Sequence, residues 1–245
     1  MNRVLTPRLY LGAVIASGAG LLVYLAPRHL EHPIAAGALL GSTLVLSVCK
    51  IRLPLGKGVS TMSMAYAVDF VALIIEGANL AMLLGAIGVL LQCTVRVRRQ
   101  QPIHRAAFSA AAVIIAVQGA GLGWHALGGS LTTLTLTSTL LPLMVCAITY
   151  FIVNTSLVVG AIAVTAAVSP VRAWNPEFLR SAPAYVVAAL VAGLVALAIT
   201  HGVFVLLPLV ASPLYVCYRG YHRRWTDMAT ALLNRAAQAG TPVTV

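Results

Sequence analysis

The chain has 245 residues, 60% of them hydrophobic and only 9% charged, and a formal net charge of +11. Soluble domains carry roughly 25% charged residues, and a chain of this length cannot hide so much apolar surface in water, so lipid must be the solvent for most of it. The positive charge does not point to nucleic acid, because the cations sit in short blocks between apolar runs, and no Gly-rich phosphate loop, zinc-finger spacing or aromatic nucleic-acid motif is present.

MNRVLTPR opens the chain, and LYLGAVIASGAGLLVYLA follows it. No clear cleavage site comes next and further apolar spans do, so this is read as a first helix over residues 9–26 rather than a signal peptide. Arg3 and Arg8 hold its start inside. PRHLEHP, residues 27–33, is an outer turn marked by Pro27 and Pro33. A second helix covers 34–49, short of the ~20 residues a span needs. In KIRLPLGKGVSTMSMAY, residues 50–66, the period changes to two around a Gly turn, which predicts a small inner β-hairpin or an extended interfacial loop.

The apolar run 67–95 is too long for one straight span, and EGAN at 76–79 breaks it into two tightly joined helices. RVRRQQPIHR, residues 96–105, is the strongest cytoplasmic signal. A fifth helix over 106–126 leads to an outer loop with Gly128, Gly129 and a Thr-rich run, and a sixth over 139–168 carries Pro142 near its start. SPVRAWNPEFLRSAP, residues 169–183, reads as an inner amphipathic connector anchored by Trp174 and Phe178.

Residues 184–218 would make a helix of roughly 50 Å, against ~30 Å of hydrocarbon, so a break is placed at Thr200-His201-Gly202. That break makes eight spans and returns Arg219, Arg223 and Arg224 to the inside, whereas seven spans would strand them outside. Of the 16 Lys and Arg residues, Arg28 alone then falls on the outer side. The expected fold is an all-α polytopic membrane bundle of about eight spans in a bacterial inner membrane, with both termini cytoplasmic. Residues 1–218 form the bundle and 219–245 a juxtamembrane helix and tail.

Ionisable groups within spans are costly and usually face protein or water. Asp69 and Glu76 are the acids within the apolar runs, and their spacing of seven puts them on one helix face about two turns apart. They make either an ion, proton or cationic-ligand site, or a structural pair in which Glu76 caps an interfacial turn and Asp69 accepts hydrogen bonds. Asp69 is the most consequential polar residue, with Glu76, Gln118 and Asn154 as its candidate neighbours in a ligand site. Gln92, Gln118 and Asn154 are alternatively interhelical hydrogen-bonding groups set among small residues. His29, His32, His125 and His201 fall on the outer side, but in segments far apart, and no metal site is assigned to them. Cys49, Cys93, Cys146 and Cys217 fit no CxxC spacing. No HExxH, GxSxG or Ser/His/Asp arrangement occurs in context, so neither catalysis nor a cofactor is expected.

After the eighth span, Trp225, Met228, Ala229, Leu232 and Leu233 make one apolar stripe at helical spacing. Such a helix either lies on the inner leaflet or pairs with its twin, so membrane lipids, a cytoplasmic signalling protein or a homodimer through 221–235 are the expected partners.

Four segments occur in order: KIRLPLGKGVSTMSMAYAVDFVAL, QCTVRVRRQQP, YFIVNTSLV and PLYVCYRGYHRR. Together they make residues 45–225 resemble the N-terminal membrane module of bacterial cyclic-di-GMP signalling proteins, which join a multi-span sensor to an HD-GYP phosphodiesterase or a GGDEF cyclase. The resemblance covers the membrane part only, and no HD, GYP or GGDEF sequence is present. It implies a sensory module that binds a small or lipophilic signal among its spans and couples it to a cytoplasmic helix. The rival expectation is a transporter, or a substrate-binding transporter subunit, that uses Asp69 and Glu76.

Overall fold

The computed structural model describes residues 5–203 except 31, 49, 56–57, 64, 96–101, 131–135 and 175, and beyond them only 215, 219, 220, 223 and 230. The apolar runs become helices: α1 (Leu5–Leu25), α2 (Pro33–Val48), α3 (Tyr66–Ile75), α4 (Ala78–Thr94), α5 (Ile103–Ala126), α6 (Leu136–Ala166), α7 (Pro170–Ala173) and α8 (Pro176–Thr200). Between α2 and α3 the period-two segment pairs as an antiparallel hairpin of β1 (Lys50–Leu55) and β2 (Gly58–Ser63), with Lys50 opposite Ser63 and Leu55 opposite Gly58.

Four helical segments are long and apolar enough to cross a membrane: Thr6–Leu25, Ile103–Ala126, Ser138–Ala166 and Ser181–Thr200. At 16, 10 and 17 residues, α2, α3 and α4 are shorter. The expected eighth span, residues 96–101 of the basic block 96–105, and the apolar stripe residues Trp225, Met228, Ala229, Leu232 and Leu233 lie outside the described residues.

Helices α1, α5 and α6 start three or four residues before their expected first residues, and the largest difference from the sequence reading is at α8. The connector was expected to run to residue 183, but α8 begins at Pro176 and continues through Pro183. Pro at a first helical position is pre-organised for the helix, and an interior Pro is tolerated in membrane helices because neighbouring groups satisfy the freed carbonyl. The connector is therefore confined to the four-residue α7 and its flanks, with the Ser169 hydroxyl accepting from the Arg172 backbone N–H.

Five helices close a ring: α3 packs on α4 and α8, α8 on α6, α6 on α5, and α5 on α4. Outside the ring, α2 lies on α4, and α1 lies on α5 and α6. Phe70, Met82, Val117 and Cys146 are fully buried at the core. Because water is absent from a bilayer core, helix association depends on close packing, and small residues permit it. Gly121 of α5 faces Ala78 of α4 so closely that a Cβ on Gly121 would lie 2.6 Å from the Ala78 Cβ.

At ten residues, α3 is about 15 Å long, half of a ~30 Å hydrocarbon core. Its neighbours enclose it, and eight of its residues, Tyr66–Phe70 and Ala72–Ile74, are buried. The helix stops at Glu76, and Gly77 then adopts φ 88°, ψ 170°. That region is essentially open to glycine alone, so the EGAN sequence dictates the turn. At two further turns, Gly128 (φ 72°) and Gly202 (φ 71°) end α5 and α8. In each case the N–H after the last turn bonds back five residues, Gly129 to Trp124 and Val203 to Ala198, which is the Schellman arrangement.

Candidate functional site

The α3–α4 turn and the end of α5 enclose a cleft of about 240 Å³ lined by Glu76, Gly77, Ala78, Asn79, Gln118, Gly121, Leu122 and His125. Its shape follows from two sequence features. Gly77 reverses the chain within one residue, which puts Glu76 and Asn79 on the same rim, and the absence of a side chain at Gly121 lets α5 approach α4. Gln118 spans the gap. Its amide nitrogen lies 3.4 Å from the Ala78 carbonyl oxygen, 3.2 Å from Asn79 Oδ1 and 3.0 Å from Met82 Sδ, and its two N–H groups share these three acceptors, tying α5 to the first turn of α4.

The Glu76 side chain is only 5% exposed, and its Oε1 lies 3.3 Å from His32 Nδ1 at the start of α2. That separation is an ion-pair distance, but Oε1 accepts no hydrogen bond of good geometry. His32 is 66% exposed and sits over the carboxylate from the solvent side.

The helix ends add their own fields. A helix carries roughly half a positive charge at its N-terminus and half a negative charge at its C-terminus. The α4 N-terminus and the α3 C-terminus meet at the same turn and largely cancel. The negative α5 C-terminus, at His125, is likewise opposed by the positive α2 N-terminus, whose flanking residue His32 meets Glu76, so the four helix ends leave no clear balance of either sign.

Asp69 is elsewhere. It sits on α3 two turns below Glu76, is 3% exposed, and packs against α4 and α6 rather than opening into the cleft. The Tyr150 hydroxyl of α6 donates to its Oδ2 at 3.2 Å, and its Oδ1 has no hydrogen-bond partner. Gly85 of α4 makes room for the carboxylate, since a Cβ there would lie 3.1 and 3.2 Å from the two oxygens and 2.7 Å from a Val113 methyl. Rings surround this contact: Tyr150 lies 5.3 Å from Phe70 and 5.6 Å from Tyr185, Phe151 lies 5.5 Å from Tyr185, and Tyr66 stacks on Tyr185 at 4.7 Å. These rings join α3 to α6 and α8.

The four residues singled out from sequence therefore divide. Glu76 and Gln118 share the cleft, Asp69 belongs to the aromatic layer beneath it, and Asn154 is half-buried on α6 one turn beyond Tyr150 and lines neither. Of the outer histidines, His32 meets Glu76 and His125 lines the cleft, whereas His29 and His201 do not line it. Among the described residues no group of three or more His, Cys, Asp and Glu could hold a metal ion. Sequence reasoning passed over Asn79 and Tyr150. Asn79 was within reach, as the last residue of the EGAN break.

A larger hollow of about 510 Å³ lies at the α6–α7 junction, lined by Ser156, Val159, Gly160, Pro170, Val171 and Trp174. Its polar side-chain groups are the Ser156 hydroxyl and the Trp174 indole N–H, and the rest of the lining is apolar. Specific ligand sites combine apolar walls with a few convergent polar groups, and that description fits the cleft at Glu76. No family model, curated protein or solved structure matches this chain.

Proposed function

We propose that the chain is an integral membrane sensory or regulatory module of about eight spans, with both termini on the cytoplasmic side of a bacterial inner membrane. It binds a small ligand in the outer cleft and passes a helix shift to residues 219–245. The observation that carries this reading is the position of α3. One end of this short, enclosed helix bears Glu76 in the cleft, and the other adjoins the β-hairpin and stacks Tyr66 on Tyr185 of α8. A ligand that draws on Glu76 pulls on a rigid rod of about 15 Å whose far end touches the helix that leads to the C-terminal segment. Such coupling requires the ligand to bind two positions of α3 unequally. The resemblance to cyclic-di-GMP signalling modules supports the same reading.

The test is a distance measurement. Spin labels on the β-hairpin and near residue 223 of full-length protein in nanodiscs should change separation when ligand binds, and Glu76→Gln should abolish the change. Labels that stay fixed while ligand demonstrably binds would refute the signalling role.

The buried carboxylate favours a second reading. Asp69 has one oxygen without a hydrogen bond, on a helix interrupted at Gly77, and interrupted helices with intramembrane acids also build transporter sites. Solute flux into proteoliposomes that is lost in Asp69→Asn would establish transport and displace the sensory reading.

A further inference from the structure

We propose that the outer cleft selects a small organic cation, an ammonium group on a short apolar stem, with Glu76 as its counter-ion and His32 as the side chain it displaces. This deepens the proposed function and rests on its claim that the cleft is the ligand site.

Three observations converge on that ligand class. Glu76 offers a carboxylate oxygen without a hydrogen bond, on a side chain 95% removed from solvent. A buried charge left without a partner is costly, and here the nearest candidate is the exposed imidazole of His32, at 3.3 Å without good hydrogen-bond geometry. No lysine or arginine lines the cleft among the described residues.

The other wall groups suit an ammonium on a short stem. Asn79 and Gln118 carry amide oxygens that can accept its N–H bonds, while Ala78, Gly121 and Leu122 form an apolar wall for the stem. The volume, about 240 Å³, lies below the ~300–1,000 Å³ of drug-sized pockets, so the ligand has only a few heavy atoms. An anion would meet Glu76 directly. A neutral solute can donate a hydrogen bond to the carboxylate but supplies no charge to balance it.

His32 is the counterpart of the ligand. It approaches Glu76 from the loop before α2, so it occupies the carboxylate when the cleft is empty and must yield when a cation enters. A permanent cation at position 32 should therefore compete with the ligand, and a side chain too short to reach should not.

The experiment uses the full chain in nanodiscs, in phosphate buffer free of amines, at fixed ionic strength. Ethylammonium, acetamide and acetate are titrated while thermal unfolding is followed, since a ligand bound only by the folded state raises the midpoint with concentration. Ethylammonium should stabilise the protein, and acetamide and acetate should not. Glu76→Gln should weaken ethylammonium binding at least tenfold, His32→Lys should weaken it, and His32→Ala should strengthen it. Should Glu76→Gln fail to fold, Glu76→Asp and the two His32 variants carry the same comparison.

If ethylammonium has no effect, or acts equally on Glu76→Gln, the cation proposal is overturned. The parent reading fails separately. Acetamide binding that Gln118→Ala removes would preserve the cleft as a ligand site while excluding the cation, whereas absence of any probe effect in wild-type protein and both variants would remove both.

Discussion

The hydrogen bond between Tyr150 and Asp69 gives the sharpest quantitative expectation. Tyr150→Phe deletes one oxygen and keeps the ring against Phe70 and Tyr185, so it changes little besides the contact to Oδ2. At 3.2 Å the bond is long for O–H···O, which clusters near ~2.8 Å. That length argues for the lower part of the range. Hydrogen bonds between membrane helices average about 0.6 kcal/mol, with a maximum near ~1.7. The state of Asp69 argues the other way, because Oδ1 has no partner and losing the bond to Oδ2 strands the whole carboxyl group, at about 1–3 kcal/mol for a buried polar group.

The two ranges overlap at about 1–1.7 kcal/mol, the expected cost of Tyr150→Phe. Reversible unfolding of the reconstituted protein, measured for wild type, Tyr150→Phe, Asp69→Ala and the double variant, isolates the pair as a coupling energy. In the Asp69→Ala background the tyrosine substitution should cost almost nothing. A cost that is the same in both backgrounds would mean that the hydroxyl does not stabilise Asp69, and the case for an oriented, functional carboxyl group would lose its geometric basis.

Gly77→Ala should destabilise by about 1–3 kcal/mol, because the backbone at φ 88°, ψ 170° admits essentially glycine alone, and the unfolding midpoint would register it. Gly121→Ala should cost about as much through overpacking against Ala78, and it should narrow the cleft, read as weaker ligand stabilisation. Asp69→Asn should express and fold but lose the signalling response, and a normal response in well-folded protein would make Asp69 a packing residue. Accessibility reagents should reach cysteines introduced at residue 130 from outside and at 100 and 240 only from inside. An external 100 or 240 would overturn the eight-span topology.

How much of this was legible depended on range. The break at Gly77 could be read because four residues, Glu-Gly-Ala-Asn, interrupt a run otherwise apolar, and no other residue type suits the backbone that Gly77 adopts. The ends of α5 and α8 were legible for the same local reason. The start of α8 was not. Trp, Arg and Pro look like a connector, yet Pro176 opens the helix and Pro183 is absorbed within it.

The site was legible in half. Glu76 and Gln118 stood out as polar residues in apolar runs, and they meet. Asn154 stood out equally, but α6 presents Tyr150 to Asp69, and a phenol among apolar residues draws no notice from polarity alone. Tyr150 and Asp69 are 81 residues apart, and no periodicity encodes a pairing across that distance. Nor does composition show that α3 would be walled in on all sides.

That enclosure has a consequence for biogenesis. A ten-residue helix cannot span on its own, and the wall formed by α8 is synthesised about 110 residues after α3, so during translation the ring lacks one side and Tyr66 lacks Tyr185. Docking of α3 is therefore a late step, made after the long helices have inserted, in keeping with the slow formation of contacts distant in sequence. Chains arrested before residue 176 should hold α5 packed on α6 while α3 remains open to protease and thiol reagents. Release through α8 should close it in one step.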